Sequence, residues 1–363
     1  MKKAIGARSK KYYLFWPLGK RIRRSILTWY IGRKCSRSLV QMPVEQKSIR
    51  KILCIMPENV LDALQQVGTV VSIVSHFDNA EINLLCEVRV SPFFQKMYRV
   101  SGVFEYTSNE CYEFSEKIEE LGFLIKQEEY DLCVMLDKRP PFAVAYLGGL
   151  SRAPIRICYS HAAAYPYCNV RITPDESNTY LPTRNLSLAK HLGAPPRMNN
   201  KWIVSKEALE EIEHLLREAQ IPADAALVGI DACEFYHRHG KQWLELLCSS
   251  INENTSLVPY VYLHAFDAVD VFNWAGTTKI AAFSHLKVSR WAALIHCSKH
   301  IVSGRSPFFE LANLLHKSVI GIFEQSEIDS NFCKFPHTQV VSYQDAANES
   351  TVRNILDSLS SLK

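Results

Sequence analysis

No CxxC pair occurs anywhere in this 363-residue chain, and neither does a GxGxxG, a Walker-type phosphate loop, a GxSxG or an HExxH. A zinc ribbon has no ligand pairs to build on, and a dehydrogenase or P-loop enzyme is disfavoured because the glycines that cradle a phosphate are missing. No apolar run approaches the roughly 20 residues of a membrane span, and there is no internal repeat or low-complexity tract. A secretory signal is not expected either: the basic N-terminal region is long, the apolar stretch brief, and no small-residue cleavage site follows. The 11 cysteines are odd in number and scattered through apolar runs such as KILCIM, INLLCEV and YDLCVML. That pattern fits buried free thiols in a reducing compartment, not a disulfide framework.

Acid is almost missing from residues 1–51, where 15 Lys and Arg stand against Glu45 alone, a net +14. The rest of the chain carries 27 bases against 36 acids, so the overall +5 joins two unlike parts. Within the arm, WPLGKRIRRSILTWYIGRK puts Leu18, Ile22, Ile26, Trp29 and Tyr30 at helical spacing. Lys20, Arg21, Arg23 and Arg24 fall largely elsewhere on the wheel, and Pro17 suits a first helical turn. Such a helix is expected to lie in an anionic membrane surface, where each basic residue adds about 1 kcal/mol. Nucleic acid is the rival polyanion. A phosphate-tracking arm needs no aromatic and aliphatic face to bury, so no nucleic-acid partner is expected.

With 47% hydrophobic and 22% charged residues, the remainder is a well-packed globular chain whose length suits two domains. Strands are expected at 51–56, 80–87, 101–107, 130–137 and 155–160, with helices near 61–76, 112–127 and 141–150 between them. The helix near 61–76 runs against propensity, because TVVSIV is rich in β-branched residues. After the polar GAPPRMNNKW, a second series follows: a charged helix in KEALEEIEHLLREAQ, then strands at 226–231, 258–264, 279–283, 300–304 and 318–323. Short apolar strands alternating with helices predict parallel sheets covered on both faces. The chain is therefore expected to be α/β, with a basic arm over 1–50, Rossmann-like domains over 51–195 and 196–345, and a last helix within 346–363. A cleft between the two domains is the default ligand site. In HRHGK the two histidines sit two apart in what reads as an exposed glycine-bearing loop, without ligand-like partners, and DAVD at 267–270 reads as a helix surface.

One stretch raises a sharper question. HIVSGRSPFFELANLL is a strand, a tight turn and a helix start, a geometry that often faces a phosphate because the first helical amides lack intrahelical acceptors. Arg305 is a forked donor suited to a diphosphate. Ser306 and Pro307 equally form an N-cap and N1 pair. Both readings stay open on the sequence.

The order of segments resembles the heptosyltransferase-like glycosyltransferases of family 9. The resemblance is carried by KILCIMPENVLDAL, HFDNAEINLLCE, YDLCVMLDKRPPFAVAYLGGLSRAPIRICYS and LKVSRWAALIHCSKHIVSGRSPFFELANLLHKSVIGIF. It implies a GT-B-like fold, two Rossmann-like parallel-sheet domains facing a central cleft, and inverting transfer with no metal or other cofactor. The lack of a DxD motif agrees with that. By the same resemblance the donor is a nucleotide sugar such as ADP-heptose, bound by the C-terminal domain. The acceptor is a lipid-linked saccharide such as lipopolysaccharide core, and the protein sits peripherally on the cytoplasmic side of the inner membrane.

Asp62 falls on the family's catalytic aspartate, though Leu61 replaces the glycine before it, and would take the proton of an acceptor hydroxyl. Lys241, in GKQWLELL, matches a lysine that would bind the donor and neutralise the departing diphosphate. At the donor turn the family writes Asp-Thr-Gly and then a His. Here Arg305, Ser306, Pro307 and Glu310 stand instead, and only the hydroxyl is kept. A chain so altered is also compatible with the fold retained as a membrane-surface binding or scaffold protein that transfers nothing.

Overall fold

The computed structural model describes the chain outside residues 1–18, 35–39, 41, 43, 96, 98, 162–163, 165, 174–180, 198–203, 264–279, 332–336, 344–348 and 363. It divides into two compact units, one of Met1–Asp175 with Asn185–Pro196, the other of Arg197–Lys363 with Glu176–Arg184. The expectations on Pro17, Leu18 and DAVD lie outside the described residues.

In the first unit, strands β1 (Lys51–Ile55), β2 (Glu81–Glu87), β3 (Gly102–Tyr106), β4 (Leu132–Met135), β5 (Ile155–Tyr159) and β6 (Val170–Ile172) form one sheet in the order β3-β2-β1-β4-β5-β6. Every pairing is parallel, with Ile52 of β1 opposite Ile82 on one side and Leu132 on the other. Parallel strands need helical crossovers, and the faces those helices cover must both be apolar. All four residues of β4 are accordingly buried. This requirement overrides local propensity between β1 and β2. The β-branched run becomes helix α3 (Val67–His76), preceded by the short α2 (Val60–Leu64), and Val67, Val70, Ile73 and Val74 are buried.

Helices α4 (Glu116–Gln127) and α5 (Phe142–Leu150) flank β4 in sequence and pack on each other. Among the described residues, no helix lies between β5 and β6. Helix α1 (Lys20–Lys34), from the basic arm, packs against α5, and its Leu27 and Ile31 enter the same core as Leu53, Met135, Cys158, Tyr167 and Cys168. This helix is part of the first unit's core, although the sequence sets the arm apart as a segment of its own.

The second unit repeats the plan. Strands β7 (Ala226–Asp231), β8 (Leu257–Leu263), β9 (Ala281–Ser284), β10 (His300–Ser303), β11 (Ser318–Glu324) and β12 (Thr338–Tyr343) are parallel in the order β12-β11-β10-β7-β8-β9. Its helices include α6 (Leu181–His191), which begins in this unit and ends in the other, and α7 (Lys206–Glu218), α8 (Ala232–His239), α9 (Lys241–Asn254), α10 (Val288–Cys297), α11 (Pro307–Leu314), α12 (Gln325–Asn331) and α13 (Glu349–Ser361). Val352, Ile355 and Leu359 of α13 join Trp243, Leu244 and Leu247 of α9 in the core. HRHGK is not a loop, as its glycine implied. It is the end of α8, where Gly240 takes φ +79° and bonds back to Tyr236, and the His239 ring lies 4.8 Å from that of Trp243. Nine described cysteines are free, and all but Cys297 are buried.

Candidate active site

Both sheets run outward from a central pair of strands, β1 with β4 and β7 with β10, whose onward connections leave in opposite directions. Ligands of open parallel sheets bind at the carboxyl ends of such a pair, and the chemistry-bearing residues of this chain collect there.

In the first unit, β1 ends at Ile55, a loop carrying Pro57 and Glu58 follows, and Asn59 caps α2 by accepting hydrogen bonds from the amides of Leu61 (2.9 Å) and Asp62 (3.3 Å). Capping leaves Asp62 exposed in the first turn, where a helix favours a carboxylate. Just past the end of β4 stands Asp137, whose carboxylate accepts from the Arg139 amide at 2.7 Å. Burial pushes the Asp137 carboxyl above the usual carboxylate range, and the charge of Asp62 adds to it, against the Arg139 hydrogen bond and His161. Glu58 is raised too, first by burial and then by Asp137 and Glu87, while the hydroxyls of Ser108 and Tyr106 work the other way. His161, just past β5, is lowered by burial, with Asp137 opposing. An exposed carboxylate thus stands near a second, part-buried one, an arrangement suited to taking a proton at the first and hydrogen-bonding a polar ligand at the second.

Asp62 was singled out in the sequence; Asp137, Glu58 and His161 were not. The signal was the same for all four, a polar residue just beyond a strand that proves parallel.

The second unit answers the question of the Arg305 turn. Ser306 is 3% exposed, and its hydroxyl accepts from the amides of Phe308 (3.2 Å) and Phe309 (3.4 Å) while donating to Asp231. Pro307 has no amide hydrogen, and the Glu310 amide bonds the Ser306 carbonyl at 3.3 Å. Every one of the first four positions of α11 is therefore spoken for, and Ser306 serves as a cap. Asp231, fully buried at the end of β7, also accepts from the Ser303 hydroxyl (3.2 Å) and the Glu234 amide (3.3 Å), so one carboxylate pins β10 and the starts of α8 and α11.

Arg305 is half-buried beside a charged network in which Arg238 pairs with Glu234 (2.7 Å), Glu327 (3.2 Å) and Glu324 (3.8 Å). Although burial works against its charge, hydrogen bonds from Arg238 and the Glu324 amide, with the charge of Arg305 added, hold Glu327 below the usual carboxylate range. Gly304 is required by close approach, since a Cβ there would lie 2.7 Å from Cγ of Glu234. Glu310 is buried in the first turn of α11. Lys241 opens α9 with its side chain half exposed, 3.7 Å from Glu245. Among the described residues, no group of three or more His, Cys, Asp or Glu is placed to hold a metal.

Of the arm residues, Arg24 pairs with Glu113 at 2.7 Å, Arg23 is half-buried and Trp29 is 57% exposed. Lys20 and Arg21 lie in α1 with side chains outside the described part. No described helix is long and apolar enough to cross a membrane.

No protein-family model and no curated protein matches the sequence. Solved structures do match. A family 9 glycosyl transferase from Veillonella parvula DSM 2008 superposes with a TM-score of 0.73 at 10% identity, covering 86% of this chain and 97% of that one. E. coli ADP-heptose lps heptosyltransferase II gives 0.68 at 16% identity over 86% and 98% of the two chains. E. coli heptosyltransferase WaaC, solved with ADP-2-deoxy-2-fluoro heptose, gives 0.60 at 13% identity over 85% and 99%.

The fold is GT-B. The GT-B likeness covers nearly the whole of each of these proteins, whereas this chain retains a share with no counterpart in them.

Proposed function

We propose that this chain is a glycosyltransferase that moves a sugar from a nucleotide-activated donor, of the ADP-heptose kind, to a lipid-linked saccharide. The observation that carries this reading is the placement of Asp62, exposed at the carboxyl end of β1 beside the raised carboxyl of Asp137, in a chain with the GT-B fold. Asp62 takes the proton of an acceptor hydroxyl as its oxygen bonds to the anomeric carbon, and the bond from that carbon to the diphosphate breaks with inversion. Asp137 stands where its carboxyl can hydrogen-bond a sugar hydroxyl and so orient the acceptor. The leaving nucleoside diphosphate carries away negative charge that Arg305 and Lys241 offset. Lys241 stands at a helix N-terminus, where the dipole disfavours a cation by about 0.3–1 kcal/mol, a cost that an anionic ligand removes. A lipid-linked acceptor calls for a protein held at a membrane surface, which the +14 arm fits.

One observation favours a second reading, in which the chain keeps the fold and binds without transferring. The α11 amides are occupied, and the charge of Arg305 already acts on Glu327. Calorimetric titration with ADP and ADP-heptose, followed by transfer assays on saccharide-bearing lipid extracts, separates the two. Nucleotide binding with sugar transfer supports the enzyme. Binding of lipid saccharide without nucleotide binding supports the second reading.

A further inference from the structure

Helix α1 has two apolar faces on opposite sides. At 100° per residue, Leu27 and Ile31 point one way and Ile22, Ile26, Trp29 and Tyr30 the other. The inner pair is 6% and 1% exposed and completes the core of the first unit, where Ile31 lies against Gly149 of α5. Polar contacts fix the same side: Thr28 Oγ1 lies 2.7 Å from the Tyr167 hydroxyl, and Arg24 both pairs with Glu113 at 2.7 Å and stands 5.0 Å from the Phe142 ring. The outer four are 50%, 44%, 57% and 36% exposed, with the Arg33 guanidinium 4.3 Å over Trp29. A helix wanted only for the core has no use for that second stripe.

We infer that the outer face of α1 seats the first unit on an anionic lipid bilayer, making the helix a rigid dock instead of a loose tether. Charge chooses the occupant. The helix carries six Lys or Arg and no acid, within an arm where 15 bases face a single glutamate, so its surroundings complement a continuous sheet of negative head groups. Trp29 and Tyr30 carry the amphipathic rings that favour the head-group level, and Ile22 and Ile26 supply aliphatic area to sink below it. The helix is too short to cross: 15 residues rise about 22 Å, against about 30 Å of hydrocarbon.

Docking also sets an orientation. Arg24 meets Phe142 at the start of α5, and Ile31 meets Gly149 near its end, so α1 and α5 run in the same direction. The start of α5 follows directly on the β4 loop that carries Asp137. The first turn of α1 therefore lies toward the end of the unit where Asp137 stands, and a bilayer along α1 runs past that end. This last step rests on the proposed acceptor site; bilayer binding by α1 does not.

The test uses the full chain, vesicles and no sugar, so its failure is separable from failure of the transfer reading. Sedimentation with vesicles of phosphatidylcholine and phosphatidylglycerol in a 70:30 ratio is compared with phosphatidylcholine alone, for the wild type and for the double variant Ile26→Ser, Trp29→Ser. Both positions are exposed, so circular dichroism and the thermal midpoint stay unchanged. The expected result is binding to the anionic vesicles, weakened by 0.5 M salt and reduced at least tenfold in the double variant. Equal binding by the double variant overturns the proposal, because basic residues alone would then suffice. Absence of vesicle binding overturns it as well, and light scattering that shows a dimer lost in the variant then gives the face to a second copy of the chain. A tryptophan emission shift to shorter wavelength on vesicle addition, absent in Trp29→Ser, supports insertion of this face.

Discussion

Removing the guanidinium of Arg305 tests the donor site most directly, because the structure has already disqualified the usual alternative. A diphosphate at the start of α11 would ordinarily bond the first helical amides. Here Pro307 has none, Phe308 and Phe309 donate to the Ser306 hydroxyl, and Glu310 donates to the Ser306 carbonyl. If the turn binds a diphosphate as proposed, its recognition falls to the side chain of Arg305. A charge-assisted hydrogen bond is worth about 1.5–3 kcal/mol, so Arg305→Ala should weaken ADP binding by roughly 10- to 150-fold. Arg305→Lys should recover only part, since the ammonium keeps the charge and loses the fork. Glu327, paired with Arg238, also feels the charge of Arg305, so Glu327→Gln should remove nearby negative charge and tighten ADP binding, a change of opposite sign. Ser306→Ala serves as the control. Its hydroxyl is spent on Asp231 and the cap, so the variant should lose about 1–2 kcal/mol of stability and little ADP affinity. Calorimetry on the four proteins reads all of this. Unchanged ADP affinity in Arg305→Ala refutes the reasoning.

Asp62→Asn should lower turnover by roughly two to four powers of ten with donor affinity nearly intact, and Lys241→Ala should change donor affinity and rate together; steady-state kinetics with ADP titrations check both. His300 is buried in β10, and burial, with Lys299 and Lys317, pushes its pKa down to about 4. The native state therefore keeps it neutral while the unfolded chain protonates near 6.5. Stability is full above that pH and falls by about 3 kcal/mol as pH drops toward 4, a slope that urea titrations should find flattened in His300→Gln. Ile31→Ala should cost about 2–5 kcal/mol in unfolding free energy, against less than about 0.5 for Trp29→Ser, which measures the two faces of α1 separately.

Ten of the twelve described strands are legible because a parallel strand buried on both faces needs an unbroken apolar run, and KILCIM, YDLCVMLD or SVIGIF has few other uses. The two that escape, β6 and β12, lie at sheet edges. There one neighbour is missing, burial relaxes, and VRI or TQVVSY carries polar residues that mask the run. Helix α1 was legible as a helix but not as part of the core. Its exposed stripe has the larger and more numerous apolar residues, and two inward-facing ones, Leu27 and Ile31, look like breadth in that stripe until their contacts are known. This also changes how the arm must be probed: deleting it would uncover the core, so only substitutions on its outer face are informative.

The candidate site divides along the same line. Residues whose meaning depends on their own strand end, such as Asp62, can be found one at a time. Residues whose meaning depends on a partner far along the chain cannot. Ser306 looks the same whether its hydroxyl faces a phosphate or a protein acceptor, and what decides is Asp231, 75 residues earlier, brought alongside by the pairing of β7 with β10. Asp137 likewise gains its interest only from the nearby charge of Asp62, which the pairing of β1 with β4 brings within reach. In both units the sheet order converts two ordinary strand ends into one chemical unit. A carboxylate at each junction then differs in surroundings: in the second it is fully buried and spent on hydroxyls and an amide that hold the turn, and in the first it is only part-buried, near an exposed carboxylate, where the proposed acceptor would meet it.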